Sequence, residues 1–287
     1  MMIIRPVRRS DLDHFDELLF GEQLGMTNLP RDRGEFLEKI IHSQTSFAED
    51  VENPDVEQYF FVLEDLAVKQ IGGICGIMAQ SAESFRFSYQ LETLPPRSHH
   101  FSATKEIKVL RVIQNDGLAS EVCALYLLPS FRHSGLGRLL SLSRFLFIAA
   151  HRRRFRERII AEMRGYIDPQ ETSPFWEGVG HHFCNLTFSE LMSLFEIENK
   201  LLPEILPQYP IYVSLLPKAT QEAIGKIHDN TKPAYQMLLQ ENFSSTGEID
   251  VFEGGPILSV QTSQIRTIQT SIVASALLTK DSLEHEI

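Results

Sequence analysis

The chain has 287 residues, 43% hydrophobic and 23% charged, enough apolar material for one large core or two modest ones. Its 38 acidic against 27 basic side chains give a formal charge of -11, which excludes a protein mainly devoted to gripping nucleic acid, because neutralising phosphates takes a surplus of Lys and Arg. No apolar run approaches the roughly 20 residues that cross a bilayer, MMIIRPVRRS lacks the greasy core of a signal peptide, and Cys75, Cys123 and Cys184 lie apart in apolar surroundings, so a cytoplasmic protein with reduced thiols and no membrane contact is expected.

In chain order, alternating or β-branched runs bounded by turn residues predict strands over 2–5, 59–64, 71–79, 85–91, 107–112, 121–128 and 159–163. Between the first two, Ser10 followed by Asp13, with Leu12, Phe15, Leu18 and Leu19, predicts a capped amphipathic helix. A second helix is predicted over 34–43, with Phe36, Leu37, Ile40 and Ile41 on one stripe. The stretch LPPRSHHFSATKE (94–106) has the composition of a surface loop. Beyond Met163 the pattern predicts helices over 219–227 and 233–240, strands over 211–215 and 248–252, and a turn at EGGP (253–256). No long linker divides the chain, so two α/β lobes packed closely around a shared cleft are expected.

The run VCALYLLPSFRHSGLGRLLSLSRFLF (122–147) is apolar on both sides of a break at Pro129, Arg132, Gly135 and Gly137. A strand before it and a helix over 136–150 after it make the break a strand-to-helix turn of pattern Arg-x-x-Gly-x-Gly. Residue usage alone gives about 0.3 such matches in a chain of this length, so the context carries the reading. At a helix start the backbone N–H groups lack acceptors and the dipole favours an anion, and the missing side chains of Gly135 and Gly137 admit a close approach. Arg132 and Arg138 add positive charge. The turn is not a P-loop, since no Lys-Ser/Thr pair follows it.

Other features read as structure. His228 reads, on residues alone, as the cap at the end of helix 219–227, where a cation is welcome. HRRRFRER (151–158) reads as the solvated end of the long helix, and Trp176 with Phe175 and Phe183 as core. The pairs His99–His100 and His181–His182 lack metal-ligand spacing, so no metal is expected.

Strand, glycine turn and long apolar helix together resemble the acyl-CoA-binding core of the GNAT N-acyltransferases. The segments MMIIRPVRRSDLD, FFVLED, GICGIMA, SEVCALYLLPSFRHSGLGRLLSLSRFLF, IIAEMRGYID, SPFWEGVGHHF, PIYVSLLP, AIGKIHDNTKPA and IDVFEGGP, in that order over 1–266, resemble the bacterial arginine N-succinyltransferase family. The resemblance implies transfer of the succinyl group of succinyl-CoA to the α-amino group of L-arginine, in the succinyltransferase route of arginine breakdown. Succinyl-CoA is then a co-substrate, no cofactor is permanently bound, and the expected assembly is a homo-oligomer or a complex of related subunits. The implied fold class is α/β (α+β): two closely packed GNAT-like lobes with a mixed central sheet flanked by helices. The acyl-CoA-binding lobe is expected over 1–190, a second lobe carrying the catalytic His over 191–266, and a divergent tail over 267–287. Past Arg266 the text no longer matches the family, which leaves two alternatives open: an acyltransferase with another donor or amine, and a non-catalytic subunit.

Amine attack on a thioester needs an anchor for CoA, donors for the oxyanion, a base for the ammonium and a proton for the leaving thiolate. The pyrophosphate is expected on the turn from Arg132 to Gly137, with Arg138 beside it, and backbone N–H groups near Leu125 and Leu127 are expected to meet pantetheine and thioester. In the family, the position matching Leu125 binds succinyl-CoA. His228 in AIGKIHDNTKPA matches the family's catalytic histidine, a proton donor, and an unperturbed pKa of about 6.5 suits that role. A guanidinium calls for carboxylates, for which Glu121 and Glu162, on neighbouring predicted strands, are the candidates, with Asp168 close behind.

Overall fold

A computed structural model describes residues 1–15, 32–82, 85–95, 106–195, 202–272 and 274. The runs predicted as strands in the first two thirds of the chain all form, with their ends shifted by a few residues: β1 (Met2–Pro6), β2 (Gln58–Asp65), β3 (Gln70–Met78), β4 (Arg86–Leu94), β5 (Ile107–Asn115), β6 (Ser120–Leu127) and β7 (Arg158–Glu162). With β8 (Ile211–Tyr212), β9 (Ser244–Ile249) and β10 (Pro256–Gln261) they make one mixed sheet in the order β1-β2-β3-β6-β7-β10-β9-β4-β5-β8. The last strands of the chain thus enter the middle of the sheet. β10 pairs with β7 on one side and β9 on the other, and β9 continues to β4, so the segments on either side of residue 190 share one sheet.

Helices flank this sheet: α1 (Arg33–Ala48), α2 (Leu136–Ala150), α3 (Pro174–Gly178), α4 (Lys218–Ala223) and α5 (Lys232–Gln240). Asp32 starts α1 by accepting the N–H groups of Gly34 and Glu35 at 2.8 and 3.0 Å. The buried face of α1 is Phe36, Ile40 and Ser43, whereas Ile41 is exposed. In place of a helix from Ser10 there is a 3-10 turn over Arg9–His14, fixed by Asp11, which accepts the N–H of Arg8 and a forked pair of bonds from Arg5. Leu18, Leu19 and the loop carrying His99 and His100 lie outside the described residues.

One core fills the side built on β2, β3, β6 and α2. β2 and β3 are buried on both faces, as their unbroken apolar runs require. Phe47, Tyr59, Phe61, Phe147 and Phe155 meet there edge to face or tilted, at centroid distances of 5.1 to 5.9 Å; such pairs contribute about 0.5–1.5 kcal/mol each beyond burial. Contrary to the expectation of a solvated helix end, the basic run does not face water throughout. Arg154 donates to the Ser46 and Glu49 carbonyls and lies over the Tyr59 ring, and Arg156 bonds Pro54 and Gln80, so these two cations tie α1 and the β2–β3 region to the end of α2.

A second core joins Tyr89, Leu110, Phe175, Val179, Ala223, Ile249 and Val251. The expected helix 219–227 stops at Ala223, because Gly225 turns into the left-handed region at φ 70° and its N–H goes to the Gly254 carbonyl. The strand expected over 248–252 ends at Ile249, because the Asp250 carboxylate accepts the N–H groups of Phe252 and Glu253 and folds the chain into a turn. That turn continues into Gly254, which packs on the Phe175 ring, and Gly255, which packs directly on 163–165. A Cβ at Gly255 would lie 1.9 Å from the Met163 carbonyl oxygen.

Since the obstructing atom is backbone, Gly255→Ala has no rotamer escape. We expect it to lower the unfolding free energy by about 2 kcal/mol or more, read as a drop in urea midpoint at unchanged m-value.

Candidate active site

The site begins with a fault in β6. Opposite β3, the register passes from Ile74 to Gly76 while β6 passes from Tyr126 to Cys123, so β6 carries one extra residue. Ala124 takes φ 51° there, an arrangement that costs a non-glycine residue on the order of 1–2 kcal/mol. This β-bulge re-aims the strand. β6 and β7, the parallel pair of the sheet, match only at Ser120↔Ile159 and Glu121↔Ile160 and then part. Beyond Glu121 the β7-facing edge of β6 has no strand against it among the described residues, and a cleft of about 160 Å³ opens in the gap.

The cleft is lined by 122–125 of β6, by 161–164, by Thr231, Ala234 and Leu238 on and before α5, by Arg144 of α2, and by Asp250, Phe252 and Glu253. Leu125 is therefore on its wall. Leu127 lies two residues farther along the same strand, paired with Gly73 on the β3 side.

β6 then runs into the glycine turn. Gly135 stands at φ 76° just before α2, and a Cβ there would meet nothing within 4 Å. At Gly137 a Cβ would meet only Leu127, at 3.8 Å. Packing does not demand glycine at Gly137, so what its missing side chain provides is open space over the first N–H groups of α2. Arg132 folds back, its Nε donating to the Leu127 carbonyl at 3.0 Å and its guanidinium lying 5.5 Å over the Tyr126 ring. Arg138 is exposed and reaches Gln240 at 3.4 Å.

His228 does not cap the end of α4, which stops five residues earlier for the reason given above. It precedes a 3-10 turn over Asp229–Thr231; its N–H goes to the Arg164 carbonyl at 2.9 Å, and its Nδ1 accepts the Asn230 N–H at 3.1 Å. With Nδ1 occupied as an acceptor, the neutral ring carries its proton on Nε2. Burial and then Arg164 hold its pKa below the ordinary 6.5, against the pull of Asp229. His228 is not itself among the lining residues; its backbone is held to two that are, its N–H by the Arg164 carbonyl and its carbonyl by the Thr231 hydroxyl at 2.9 Å.

The two candidate carboxylates differ. Glu162 lines the cleft and is bonded by Arg86, which also reaches Glu248 at 3.3 Å. Glu121 is buried, interacts electrostatically with Arg86 and Lys39, and is not among the lining residues. Asp168 bonds the N–H groups of Gln170 and Thr172 within its own turn.

Four charged residues of the cleft escaped the sequence reading: Arg144, Arg164, Asp250 and Glu253. Arg144 is buried, and among the described residues its hydrogen bonds go to the Ser141 carbonyl and hydroxyl and the Cys123 carbonyl. Asp250 is pushed up to about 6 and Glu253 to about 8, each chiefly by burial and then by a neighbouring carboxylate. For Arg164 and Glu253 the available signal was a charged residue beside the glycines of EMRG and FEGG, the first read as a strand end and the second as a turn.

The chain is similar to known proteins over most of its length. The family model of the arginine N-succinyltransferase beta subunit matches residues 2–267. Arginine N-succinyltransferase subunit alpha of Pseudomonas aeruginosa is 36% identical over 275 residues, spanning 95% of this chain and 81% of that protein. Subunit beta of the same organism is 35% identical over 271 residues, spanning 94% and 79%. The solved structure of arginine/ornithine succinyltransferase subunit AI from Pseudomonas aeruginosa superposes with a TM-score of 0.82 at 35% identity, over 94% of this chain and 79% of that one.

The carboxyl of Glu253 sits above its ordinary 4.5 in the fold, so its contribution to stability is full below pH 4.5 and is lost as pH rises through about 8. Glu253→Gln removes that loss. We expect the variant to lose less stability than the parent between pH 5 and pH 9, by roughly 2–5 kcal/mol, measured by urea unfolding at both pH values.

Proposed function

The chain belongs to the arginine N-succinyltransferase family, and from that premise we propose that it carries the succinyl group of succinyl-CoA to the α-amino group of L-arginine, releasing CoA and N-succinyl-L-arginine. The observation that carries this reading is the continuity of β6: one strand supplies an open backbone edge along the cleft and then delivers the chain to a glycine turn at the start of α2. An acyl-CoA needs those two features in that order, a polar edge for pantetheine and thioester and an anion site for pyrophosphate. Gly135, Gly137 and the N–H groups of the first turn hold the pyrophosphate, with Arg138 as the added charge. Arg132, folded onto β6, stiffens the turn. The β6 edge around Leu125 and Leu127 meets the thioester arm.

Donor choice rests on Arg144. Its guanidinium is buried against the cleft with, among the described residues, only neutral acceptors bonded to it, and a buried cation is costly until a carboxylate joins it. The free carboxylate of a succinyl group supplies one and an acetyl group does not. Nε2–H of His228 donates a hydrogen bond to the leaving sulfur, while the α-ammonium gives up two protons as the amide forms, one ending on the departing thiolate and one in solvent. Glu162 is the partner of the acceptor's guanidinium, with Glu121 supporting it. Relatives are named as subunits alpha and beta, and an assembly of like or related chains is our expectation here as well. The acyl-CoA-binding segment 1–190 and the segment 191–266 that carries His228 then work as two halves of one site.

A thiol-release assay with succinyl-CoA and L-arginine, with ornithine as a second amine, tests the reading. We expect His228→Ala to lower kcat by about 10²- to 10⁴-fold with CoA affinity unchanged; wild-type turnover in this variant removes His228 from the chemistry. Arg144→Met should cut kcat/KM for succinyl-CoA by about 100-fold while leaving acetyl-CoA little affected. Glu162→Gln should raise KM for arginine more than Glu121→Gln does.

A further inference from the structure

Two charged groups in the cleft are left half satisfied by the chain itself. Glu253 is 4% exposed; its Oε2 accepts the Gly165 N–H at 2.8 Å, and its Oε1 has no hydrogen-bond partner among the described residues. Arg164 stands beside it, its Nε likewise without a hydrogen bond. The two orphaned atoms are 3.8 Å apart, close enough to attract and too far to bond. Asp250, in the same turn, differs: its carboxylate is taken up by the N–H groups of Phe252 and Glu253, which is a structural duty.

Buried charged atoms are normally bonded, because water is not there to do it. A guanidinium and a carboxyl held a few ångström apart on a cleft wall, each with an unbonded atom, match a ligand that carries an anion and a cation at the same spacing, the carboxyl giving up its proton as the ligand's cation seats. An α-amino acid is such a ligand, since its ammonium and carboxylate sit on one carbon. We propose that Arg164 and Glu253 clamp the α-amino-acid head group of the acceptor, Glu253 Oε1 taking the ammonium and the Arg164 guanidinium the carboxylate. The proposal rests on the succinyl-transfer reading above and supplies what that reading lacks, a reason for modifying an α-amine. The clamp also sets the place of reaction. The Arg164 carbonyl accepts the His228 N–H at 2.9 Å, so the residue that seats the head group is bonded to the proposed proton donor.

The clamp is tested with L-arginine and agmatine, which keeps the guanidinium and a primary amine but has no carboxylate. Calorimetric titration of the full chain saturated with CoA should show arginine binding about 100-fold more tightly than agmatine. Arg164→Gln should bring arginine down to the agmatine level and leave agmatine unchanged, whereas Glu253→Gln should weaken both. Equal binding of the two amines by the parent protein overturns the clamp, and this comparison needs no variant to fold. Discrimination that survives Arg164→Gln overturns it as well and leaves the pair as a structural contact. The thiol-release assay separates the two readings. Strong discrimination with no CoA released from any amine sinks the transferase reading and keeps the clamp; CoA released with equal kcat/KM for arginine and agmatine does the reverse.

Discussion

Everything at this site depends on two strands that stop pairing. β6 and β7 share two residue pairs, and then the extra residue at Ala124 turns β6 away. A sheet that continued its ladder here would bury the backbone edge of β6 in hydrogen bonds to β7 and leave no cleft. The bulge costs a strained φ and a run of lost ladder bonds, and the surrounding core sustains that cost: β2 and β3 are buried on both faces, and the aromatic cluster of Phe47, Tyr59, Phe61 and Phe147 braces the helix side. Local strain of this kind survives only where packing over-determines it.

The second constraint is charge. The cleft wall gathers Arg144, Arg164, Glu162, Asp250 and Glu253, although buried ionisable groups weaken a fold unless each finds a partner. Some are satisfied internally, as Glu162 is by Arg86 and Asp250 by its own turn. Others, Arg164 and Glu253, are satisfied only in part by the described residues, and these are the pair proposed to seat the head group. Glu253, held up to about 8, shows the conflict most plainly: the position serves a charged ligand at the expense of stability at alkaline pH.

The turn 250–255 links the two constraints. Its glycines let it approach 163–165 so closely that a Cβ at Gly165 would lie 2.2 Å from the Glu253 carbonyl oxygen. That contact puts Glu253 beside Arg164, and the adjoining bridge Gly165↔Ile227 brings His228 to the same place. Residues from three distant parts of the chain are thereby assembled at the end of one parting pair of strands.

By itself the sequence determined the local elements, the glycine turn before α2 among them. Alternation and β-branching marked β1 to β7, and the glycine turn between an apolar strand and an apolar helix pointed to an anion site, because these features depend on neighbours a few residues apart. It misjudged the end of the helix before His228, where a long-range bond from Gly225 to Gly254 overrides the periodicity, and the strand before Asp250, where the Asp250 carboxylate closes a local turn. Only the tertiary structure decided that β10 and β9 enter the middle of the sheet, that Glu162 faces the cleft while Glu121 lies behind it, and that Arg164 and Glu253 meet. The physical reason is that burial and charge pairing between residues nearly ninety positions apart leave no periodic trace in the chain; they exist only once the sheet has brought those positions together.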